Sequence, residues 1–207
     1  MRITKDYDER KNEILDASER LFLTKGYEKS TINDIIKEIS IAKGTFYYYF
    51  KSKKEVLDAI VERYINKVLD KVNKLIKEDV NPVEKLLFAF MSMRIDKEAE
   101  SYLIDELHKV ENALLHQKTL NLMATAMAPE LVKIIEEGIE KKVWSCRYPL
   151  QYMQIFLASS LTLTDEGIFD LDVDSRMKVM PALISMLEKM LEVPEDSLLE
   201  VFLKYYE

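Results

Sequence analysis

Residues 31–50 of the chain read TINDIIKEISIAKGTFYYYF, and this stretch decides the fold of the N-terminal part. Thr31 with Asp34 three positions later is an acidic variant of the capping box that starts a helix. The buried stripe of that helix is predicted to be four isoleucines at helical spacing, Ile32, Ile35, Ile36 and Ile39. A turn at Ser40 then leads to a second short helix over 42–50. This layout is typical of a helix-turn-helix, whose second helix enters the major groove of double-stranded DNA.

The second helix has two different faces. Its aromatic residues at i, i+3 and i+4 share one side and are predicted to be buried: Phe46, Tyr49 and Phe50. The remaining side chains point outward, and a tyrosine there offers a flat ring and a hydroxyl that can bond a phosphate. A helical hairpin with aromatics used only for packing is the alternative. It leaves the flanking lysines and the Ser52-x-x-Glu55 capping box after the helix without an explanation.

Composition predicts an all-α protein. The 207 residues are 48 % hydrophobic, with only 4 Gly and 5 Pro, which leaves little turn chemistry for a sheet. The net charge is −7, but residues 1–54 hold 12 Lys/Arg against 9 Asp/Glu, so a mildly basic head precedes an acidic body. Because salt screens charges beyond about 8–10 Å, the local balance matters more for DNA than the total.

The sequence shows no targeting or membrane signal. No apolar run approaches the roughly 18 residues that cross a bilayer, and the charged N-terminus lacks the apolar stretch of a signal peptide. Cys146 is the single cysteine, which excludes an internal disulfide framework. We therefore expect a cytoplasmic protein with no membrane partner.

Further helices follow the motif. A long helix is predicted from Ser52 to about residue 78, and Asn81-Pro82 starts the next one. The other predicted helices cover 82–95, 100–117, 119–142, 149–164, 174–192 and 195–206. Pro129 and Pro181 fall inside two of them and predict kinks or breaks. We divide the chain into a head over 1–52 and a helical body over 53–207.

The head resembles the DNA-binding domain of the TetR/AcrR family of bacterial transcriptional regulators. The resemblance rests on Thr31, the KGTFYYYF run at 43–50 and the Lys51-Ser52-Lys53 that follows, and it covers about the first 60 residues. It implies a three-helix helix-turn-helix domain followed by a helical-bundle domain that binds a ligand and dimerises. It also implies a repressor that a small-molecule effector releases from a palindromic operator. The methionine and aromatic content of the body indicates that this effector is largely apolar or aromatic.

The resemblance assigns DNA-binding roles by position. It implies contacts to the major groove or the phosphates from Thr31, Lys43, Gly44, Thr45, Tyr47, Tyr48 and Lys53. Gly44 would permit close backbone approach, and Lys53 would contact the DNA backbone. Two positions depart from the family pattern, because Ser40 stands where glycine is common and Ala42 stands where serine or threonine commonly caps the helix.

Several residues of the body are candidates for lining an effector pocket. Methionine adapts to varied shapes and aromatic rings provide flat walls, which favours Met91, Met93, Met123, Met127, Trp144 and Phe156. The alternative for each of them is an ordinary place in the core, and the sequence leaves both open.

His108, Asn112 and His116 lie four residues apart and share a helix face. With about 100° per residue, this stripe opposes the apolar face that begins at Leu103, so we expect it to face solvent or a second subunit. A polar pocket lining and a metal site are the alternatives. No neighbouring set of Cys or carboxylates completes a ligand set, so we predict no metal and no cofactor.

The predicted helix over 174–192 carries apolar residues around half its circumference, more than the arc of about 100° that one-sided packing requires. Together with the helix over 149–164 it predicts a homodimer through a four-helix interface. The interface candidates are Met153, Phe156, Leu157, Leu161, Val179, Leu183, Met186 and Met190. A fully internal helix is the alternative.

Two other functions remain open from the sequence. The same fold could respond to a protein partner instead of a small molecule. An enzyme on a helical bundle would need His108, His116 and nearby carboxylates, but the chain has no nucleophile elbow, no phosphate-binding glycine loop and no Cys–His signature. We therefore predict that it is not an enzyme.

Overall fold

The computed structural model describes residues 6–93, 105, 107–165 and 167–205, and every regular element among them is helical. The chain divides into two compact units. The first comprises 1–66 and 96–109, and the second comprises 67–95 and 110–207. The unit boundary therefore lies within a helix, 14 residues beyond the predicted boundary at residue 52.

The first unit contains α1 (Tyr7–Lys25), α2 (Ile32–Glu38), α3 (Lys43–Tyr49) and the first part of α4 (Lys53–Ile76). Its core is formed by side chains that are almost fully buried: Ile14, Phe22, Ile35, Phe46, Leu57 and Ile60. Arg63 of α4 also forms ion pairs with Asp16 and Glu19 of α1. Apolar packing and this charged pairing together hold α4 against α1.

Local signals account for where these helices begin and end. Thr31 and Asp34 form the predicted capping box, with the Thr31 Oγ1 accepting from the Asp34 amide at 3.1 Å. Gly26 ends α1 with a φ of 85°, which glycine tolerates without strain. The Ser52 hydroxyl accepts from the Glu55 amide at 3.1 Å and so starts α4. The predicted order and approximate extents of α1 to α4 are confirmed.

The second unit contains the end of α4, then α5 (Pro82–Ser92), α6 (Ala113–Glu140), α7 (Pro149–Leu163), α8 (Val173–Met190) and α9 (Ser197–Lys204). A 3₁₀ turn, Val110–Asn112, precedes α6. The core lies along α6 and α7 and includes Met127, Leu131, Ile134, Ile135 and Met153. None of the described helices has a stretch that is long and apolar enough to cross a lipid bilayer.

One prediction about helix boundaries was wrong, and of the kinks or breaks predicted at two prolines the breaks do not occur. The expected break near residue 118 does not exist, because α6 runs unbroken from Ala113. Pro129 and Pro181 do not break their helices, since α6 and α8 continue through them. A proline removes one backbone N–H, and packing of the rest of the helix can offset that loss.

Buried polar contacts connect the helices of the second unit. The Lys85 ammonium donates to the Ile76 carbonyl at 2.9 Å and to both carboxylate oxygens of Glu137. Burial raises the pKa of Glu137, but hydrogen bonds from Lys141 and Lys85 outweigh it and leave this pKa below its ordinary value. The buried Glu188 carboxylate accepts from the amides of Leu198 and Leu199 and so caps α9.

Candidate nucleic-acid interface and effector region

Helix α3 has one buried and one exposed face, as its sequence predicts, although Tyr49, predicted to be buried, is only half-buried. Phe46 and Phe50 are 0 % and 2 % exposed and anchor the helix in the first unit. Tyr47 and Tyr48 are 44 % and 72 % exposed, and Lys43 is exposed beside them. Thr45 is half-buried. The exposed face therefore offers two phenol hydroxyls and a cation, groups that donate hydrogen bonds to phosphate oxygens.

The start of α1 supports the exposed tyrosines. The Tyr7 ring lies 4.8 Å from the Tyr49 ring and 6.0 Å from the Tyr48 ring, the latter edge to face. Burial and the neighbouring Tyr48 raise the pKa of Tyr49. Sequence periodicity did not identify Tyr7 as part of this surface, because the contact joins positions about 40 residues apart.

Gly44 has no packing role within its own unit. A Cβ atom added there would have no neighbouring atom within 4 Å, and the residue is exposed. A glycine within a helix costs about 1 kcal/mol relative to alanine. Packing within the first unit therefore gives no reason for a glycine at this position.

The two departures from the family pattern have clear structural consequences. Ser40 adopts a φ of 51°, the left-handed conformation that glycine occupies at no steric cost. Ala42 is the N-cap of α3 and makes no side-chain capping hydrogen bond. The turn therefore holds a serine in a conformation that favours glycine, and α3 starts without a side-chain cap, although the motif still forms.

Thr31 is not free at the start of α2. Its amide and its hydroxyl both donate to Asp34 Oδ2, at 2.9 and 2.7 Å. The Lys25 ammonium lies 2.6 Å from the same oxygen. This ammonium, followed by the two Thr31 donors, holds the pKa of Asp34 well below its ordinary value. A phosphate binding at Thr31 would have to displace a carboxylate.

Lys53 is also engaged within the first unit. Its Nζ donates to the carbonyl oxygens of Tyr27, Ser30 and Glu28 at 2.6, 3.1 and 3.4 Å. It also lies 4.0 Å from the centroid of the Tyr27 ring. Three carbonyl acceptors match the three N–H donors of an ammonium. As placed, Lys53 fixes the loop between α1 and α2, and contact with DNA would compete with these bonds.

The candidate effector residues fall into different environments. Met123, Met127 and Phe156 are 5 %, 0 % and 5 % exposed. The Phe156 ring lies 4.8 Å from the Phe90 ring of α5. Met91 is 37 % exposed and Met93 is half-exposed at the end of α5. The buried part of the set therefore consists of Met123, Met127 and Phe156 on α6 and α7, together with Trp144 in the loop between these two helices.

Trp144 closes the loop between α6 and α7. Its Nε1 donates to the Ile135 carbonyl at 2.8 Å, and its ring lies directly over Gly138. A Cβ atom on Gly138 would come within 2.1 Å of that ring. Packing against Gly138 and the bond to Ile135 account for the burial of Trp144 without a role in an effector pocket. Burial also raises the pKa of the Cys146 thiol nearby in the loop, which disfavours a reactive thiolate.

The predicted solvent exposure of the stripe around Asn112 was wrong. Asn112 and His116 are 6 % and 8 % exposed, whereas Val110 and Leu114 are 89 % and 77 % exposed. The His116 Nε2 lies 2.8 Å from Asp165 Oδ2. The 3₁₀ turn over Val110–Asn112 changes the rotation per residue, so a constant 100° step misplaced these side chains. His108 is half-buried.

The candidate dimer residues are partly used inside the chain. Met153, Phe156, Leu157 and Leu183 are buried within the second unit. Leu161, Val179, Met186 and Met190 are half-exposed. Nearby apolar side chains outside the predicted interface are more exposed, with Ile155, Val173 and Met177 at 50 %, 74 % and 67 %.

One apolar stripe runs along α8 to its C-cap residue Leu191, with an alternating spacing of four and three residues. Its members are Val173, Met177, Met180, Ile184, Leu187 and Leu191. The last three are buried, Met180 is half-exposed, and the first two are exposed. The second unit therefore covers the C-terminal half of the stripe and leaves the N-terminal half open.

Two family models match the chain. Residues 14–60 match "Bacterial regulatory proteins, tetR family", and residues 97–183 match "Tetracyclin repressor-like, C-terminal domain". The chain belongs to the TetR family. The first match contains α2 and α3, which places the exposed tyrosine face in the family's helix-turn-helix.

Known relatives agree with this assignment. An HTH-type transcriptional regulator from the lacX 3′ region of Lactococcus lactis subsp. lactis, itself uncharacterised, is 41 % identical over 78 residues, 37 % of this chain. The match spans 39 % of that relative's length. A TetR transcription regulator from Haloarcula marismortui aligns over 89 % of this chain and 100 % of its own, with a TM-score of 0.66 and 17 % identity.

A second solved structure contains a ligand. RolR in complex with resorcinol aligns over 94 % of this chain and 93 % of its own, with a TM-score of 0.61 and 14 % identity. At these identities the two solved structures establish the TetR fold across both units.

Proposed function

We propose that this TetR-family protein is a repressor that binds a palindromic operator as a homodimer and is released by a small, largely apolar or aromatic effector. The observation that carries the proposal is the exposed face of α3. Lys43, Tyr47 and Tyr48 project from a helix whose opposite face is locked in the core. A glycine with no internal role lies among them.

The open half of the α8 stripe supports a second copy of this chain as the dimer partner. Apolar residues at four-three spacing pack against another helix, and the C-terminal half of the same stripe already does so. Val173 and Met177 would then be covered by symmetry-related residues in an isologous interface. Two heads related in this way read a palindrome with half-sites about one DNA turn, roughly 34 Å, apart.

Two buried methionines support the hypothesis that the effector binds within the second unit. Met123 and Met127 lie on the inner face of α6, where their flexible side chains can make room for a ligand. RolR, which shares the fold, binds the aromatic diol resorcinol. The effector must bind the DNA-incompetent state more tightly than the DNA-bound state, because otherwise it would shift nothing.

DNA binding is tested by fluorescence anisotropy with the DNA upstream of the chain's own gene and with palindromes selected from a random pool. We expect saturable binding that weakens steeply with salt. Gly44→Ala is the sharpest variant, because alanine favours the helix while its methyl group fills the open space. We expect about tenfold weaker binding with an unchanged or higher Tm.

Tyr148→Ala is the matched control, since Tyr148 is 46 % exposed but lies in the second unit. It should bind DNA like the wild type, whereas Tyr47→Ala should bind at least about tenfold more weakly. Salt-insensitive binding, or equal losses in Tyr47→Ala and Tyr148→Ala, would contradict the proposed interface.

The dimer is tested separately by light scattering after size-exclusion chromatography. Met177→Glu should shift the protein toward the monomer because it places a charge in the centre of the proposed contact. Leu23→Glu is the control, since Leu23 is 51 % exposed on α1 in the other unit. A Met177→Glu protein that remains dimeric would exclude this part of the stripe as the interface.

A further inference from the structure

The inner face of α6 changes character along its length. Residues from the end of the 3₁₀ turn through successive turns of α6, all at most 8 % exposed, form a single line: Asn112, His116, Thr119, Met123 and Met127. The first three are polar and the last two are methionines. A buried face that is polar at one end and deformable and apolar at the other matches an amphipathic small molecule.

The polar end is organised around His116 and Asp165. Their Nε2 and Oδ2 atoms lie 2.8 Å apart, and the other Asp165 oxygen accepts from the Gly167 amide at 2.9 Å. The Thr119 hydroxyl donates to the Leu115 carbonyl at 2.8 Å, so its oxygen presents lone pairs. This end therefore combines a carboxylate acceptor, an imidazole and a hydroxyl oxygen within the interior.

The apolar end of this face is lined by flexible side chains. Met123 and Met127 continue the face one and two turns beyond Thr119, and Phe156 of α7 lies against Phe90 of α5 in the same core. Methionine side chains rotate about three bonds and repack at low cost around an inserted group.

We propose that the effector is an uncharged amphiphile whose hydroxyl group binds between His116 and Asp165 and whose apolar body lies along Met123 and Met127. A hydroxyl donates to the Asp165 carboxylate and accepts from the His116 ring N–H, so it replaces the direct contact with two hydrogen bonds. A carboxylate ligand has no donor and faces the Asp165 charge. A hydrocarbon would separate buried polar groups without bonding them. This inference rests on the proposed function, because it specifies the effector of that regulator.

Asp165 also connects the proposed hydroxyl site to the start of α8. The Asp165 carbonyl accepts from the amides of Ile168 and Phe169 at 3.2 and 3.1 Å. The loop they begin leads to Asp172, whose carboxylate caps α8 by accepting from the Ser175 amide at 2.8 Å. A ligand that moves Asp165 therefore moves the loop that leads to Val173 and Met177, the open half of the α8 stripe.

The wild-type full-length protein provides the first test, by isothermal titration with a matched set of probes. The set is 3-phenylpropan-1-ol, 3-phenylpropanoate, 3-phenylpropylamine and butylbenzene, together with 1-octanol, octanoate, octylamine and nonane. We expect an alcohol to bind about tenfold more tightly than its hydrocarbon, carboxylate and amine counterparts, a gain typical of added buried hydrogen bonds. Preference for any other head group, or no binding by any of the eight probes, overturns the proposal.

Variants locate the hydroxyl. His116→Gln and Asp165→Asn keep the size of the side chains and should each remove most of the preference for the alcohol while the hydrocarbon binds as before. Thr125→Ala is a control on the same helix, because Thr125 is exposed and bonds only its own i−4 carbonyl, so this variant should keep the alcohol preference. If both His116→Gln and Asp165→Asn keep the wild-type preference for the alcohol, the head group binds elsewhere and the proposal is overturned.

Two further measurements separate this inference from the proposed function. Zn²⁺ alone is titrated as a metal probe, and zinc binding that disappears in His116→Gln, without any alcohol preference, assigns the pair to a metal and overturns the hydroxyl site. Operator binding is measured without any probe. Intact operator binding with failed alcohol binding refutes only this inference, whereas absent operator binding refutes the proposed function itself.

Discussion

The Nζ of Lys53 donates to the Tyr27 carbonyl oxygen at 2.6 Å and lies 4.0 Å from the Tyr27 ring. This contact joins the first turn of α4 to the loop that precedes α2, 26 residues earlier in the chain. The resemblance to TetR regulators assigns Lys53 to the DNA backbone. In the first unit the same side chain fixes the loop from which the helix-turn-helix begins.

Replacing Lys53 distinguishes these two roles. Lys53→Met keeps the length of the side chain but removes the ammonium, so it leaves three carbonyls without their donor and should lower the Tm of the protein. If Lys53 only positions the loop, operator affinity falls while the salt slope of log K stays the same. If it also binds a phosphate, that slope decreases by about one. Titrations of operator DNA at several salt concentrations measure this directly, and an unchanged Tm would refute the positioning role.

Ser40 occupies a backbone conformation that suits glycine, with a φ of 51° in the turn of the motif. Ser40→Gly should raise the free energy of unfolding by about 0.5 kcal/mol, because relief of the left-handed strain outweighs the greater freedom of glycine in the unfolded chain. Ser40→Val should lower it by at least about 1 kcal/mol, since a β-branched side chain fits this region poorly. Thermal melts of both variants provide the test, and equal Tm values would contradict it.

The helix-turn-helix could be predicted in detail from the sequence, because its signals are local. A capping box, an aromatic run at helical spacing and a second capping box each act over four to eight residues. The exposure of Tyr47 and Tyr48 follows from the same spacing. The missing cap at Ala42 was also visible in the sequence, and the structure confirms that no side chain caps α3.

The second unit was less predictable because its decisive contacts are distant in sequence. His116 and Asp165 are 49 residues apart, and no periodicity connects them. The assumption of a constant rotation of about 100° per residue also failed at the 3₁₀ turn before α6, where the rotation between successive side chains is different. Val110 and Leu114 consequently face outward, while Asn112 is buried.

Asp34 is expected to make the first unit sensitive to acid. Hydrogen bonds from Lys25 and Thr31 keep the pKa of its carboxyl below the unfolded value of 3.8. The folded state therefore binds this proton less readily than the unfolded state, so the stabilisation is complete at neutral pH and is lost as the pH falls below about 4. Asp34→Asn should lower the Tm at pH 7, and the difference from wild type should shrink toward pH 3.

The same variant tests the role of Thr31 in DNA binding. Asparagine removes a negative charge from the start of α2 and weakens the bonds that occupy the Thr31 amide and hydroxyl. If Thr31 contacts a phosphate, Asp34→Asn should bind the operator more tightly at pH 7 despite its lower Tm. Weaker binding with an unchanged salt slope would instead show that the capping box only orders the helix.

Gly138 and Gly44 form a matched pair with opposite expected outcomes. A methyl group at Gly138 would lie 2.1 Å from Cε2 of Trp144, whereas one at Gly44 would have no neighbour within 4 Å. Gly138→Ala must displace the indole and break its bond to Ile135, at a cost of about 1–3 kcal/mol that exceeds the gain of about 1 kcal/mol from helix propensity. Gly44→Ala adds the same methyl group but displaces no neighbour, so only the gain in helix propensity applies. We therefore expect a lower Tm for Gly138→Ala and an equal or higher Tm for Gly44→Ala.

Because Trp144 is the single tryptophan of the chain, its fluorescence emission should shift to the red in Gly138→Ala only. An unshifted emission with an unchanged Tm would mean that the indole does not close the loop between α6 and α7.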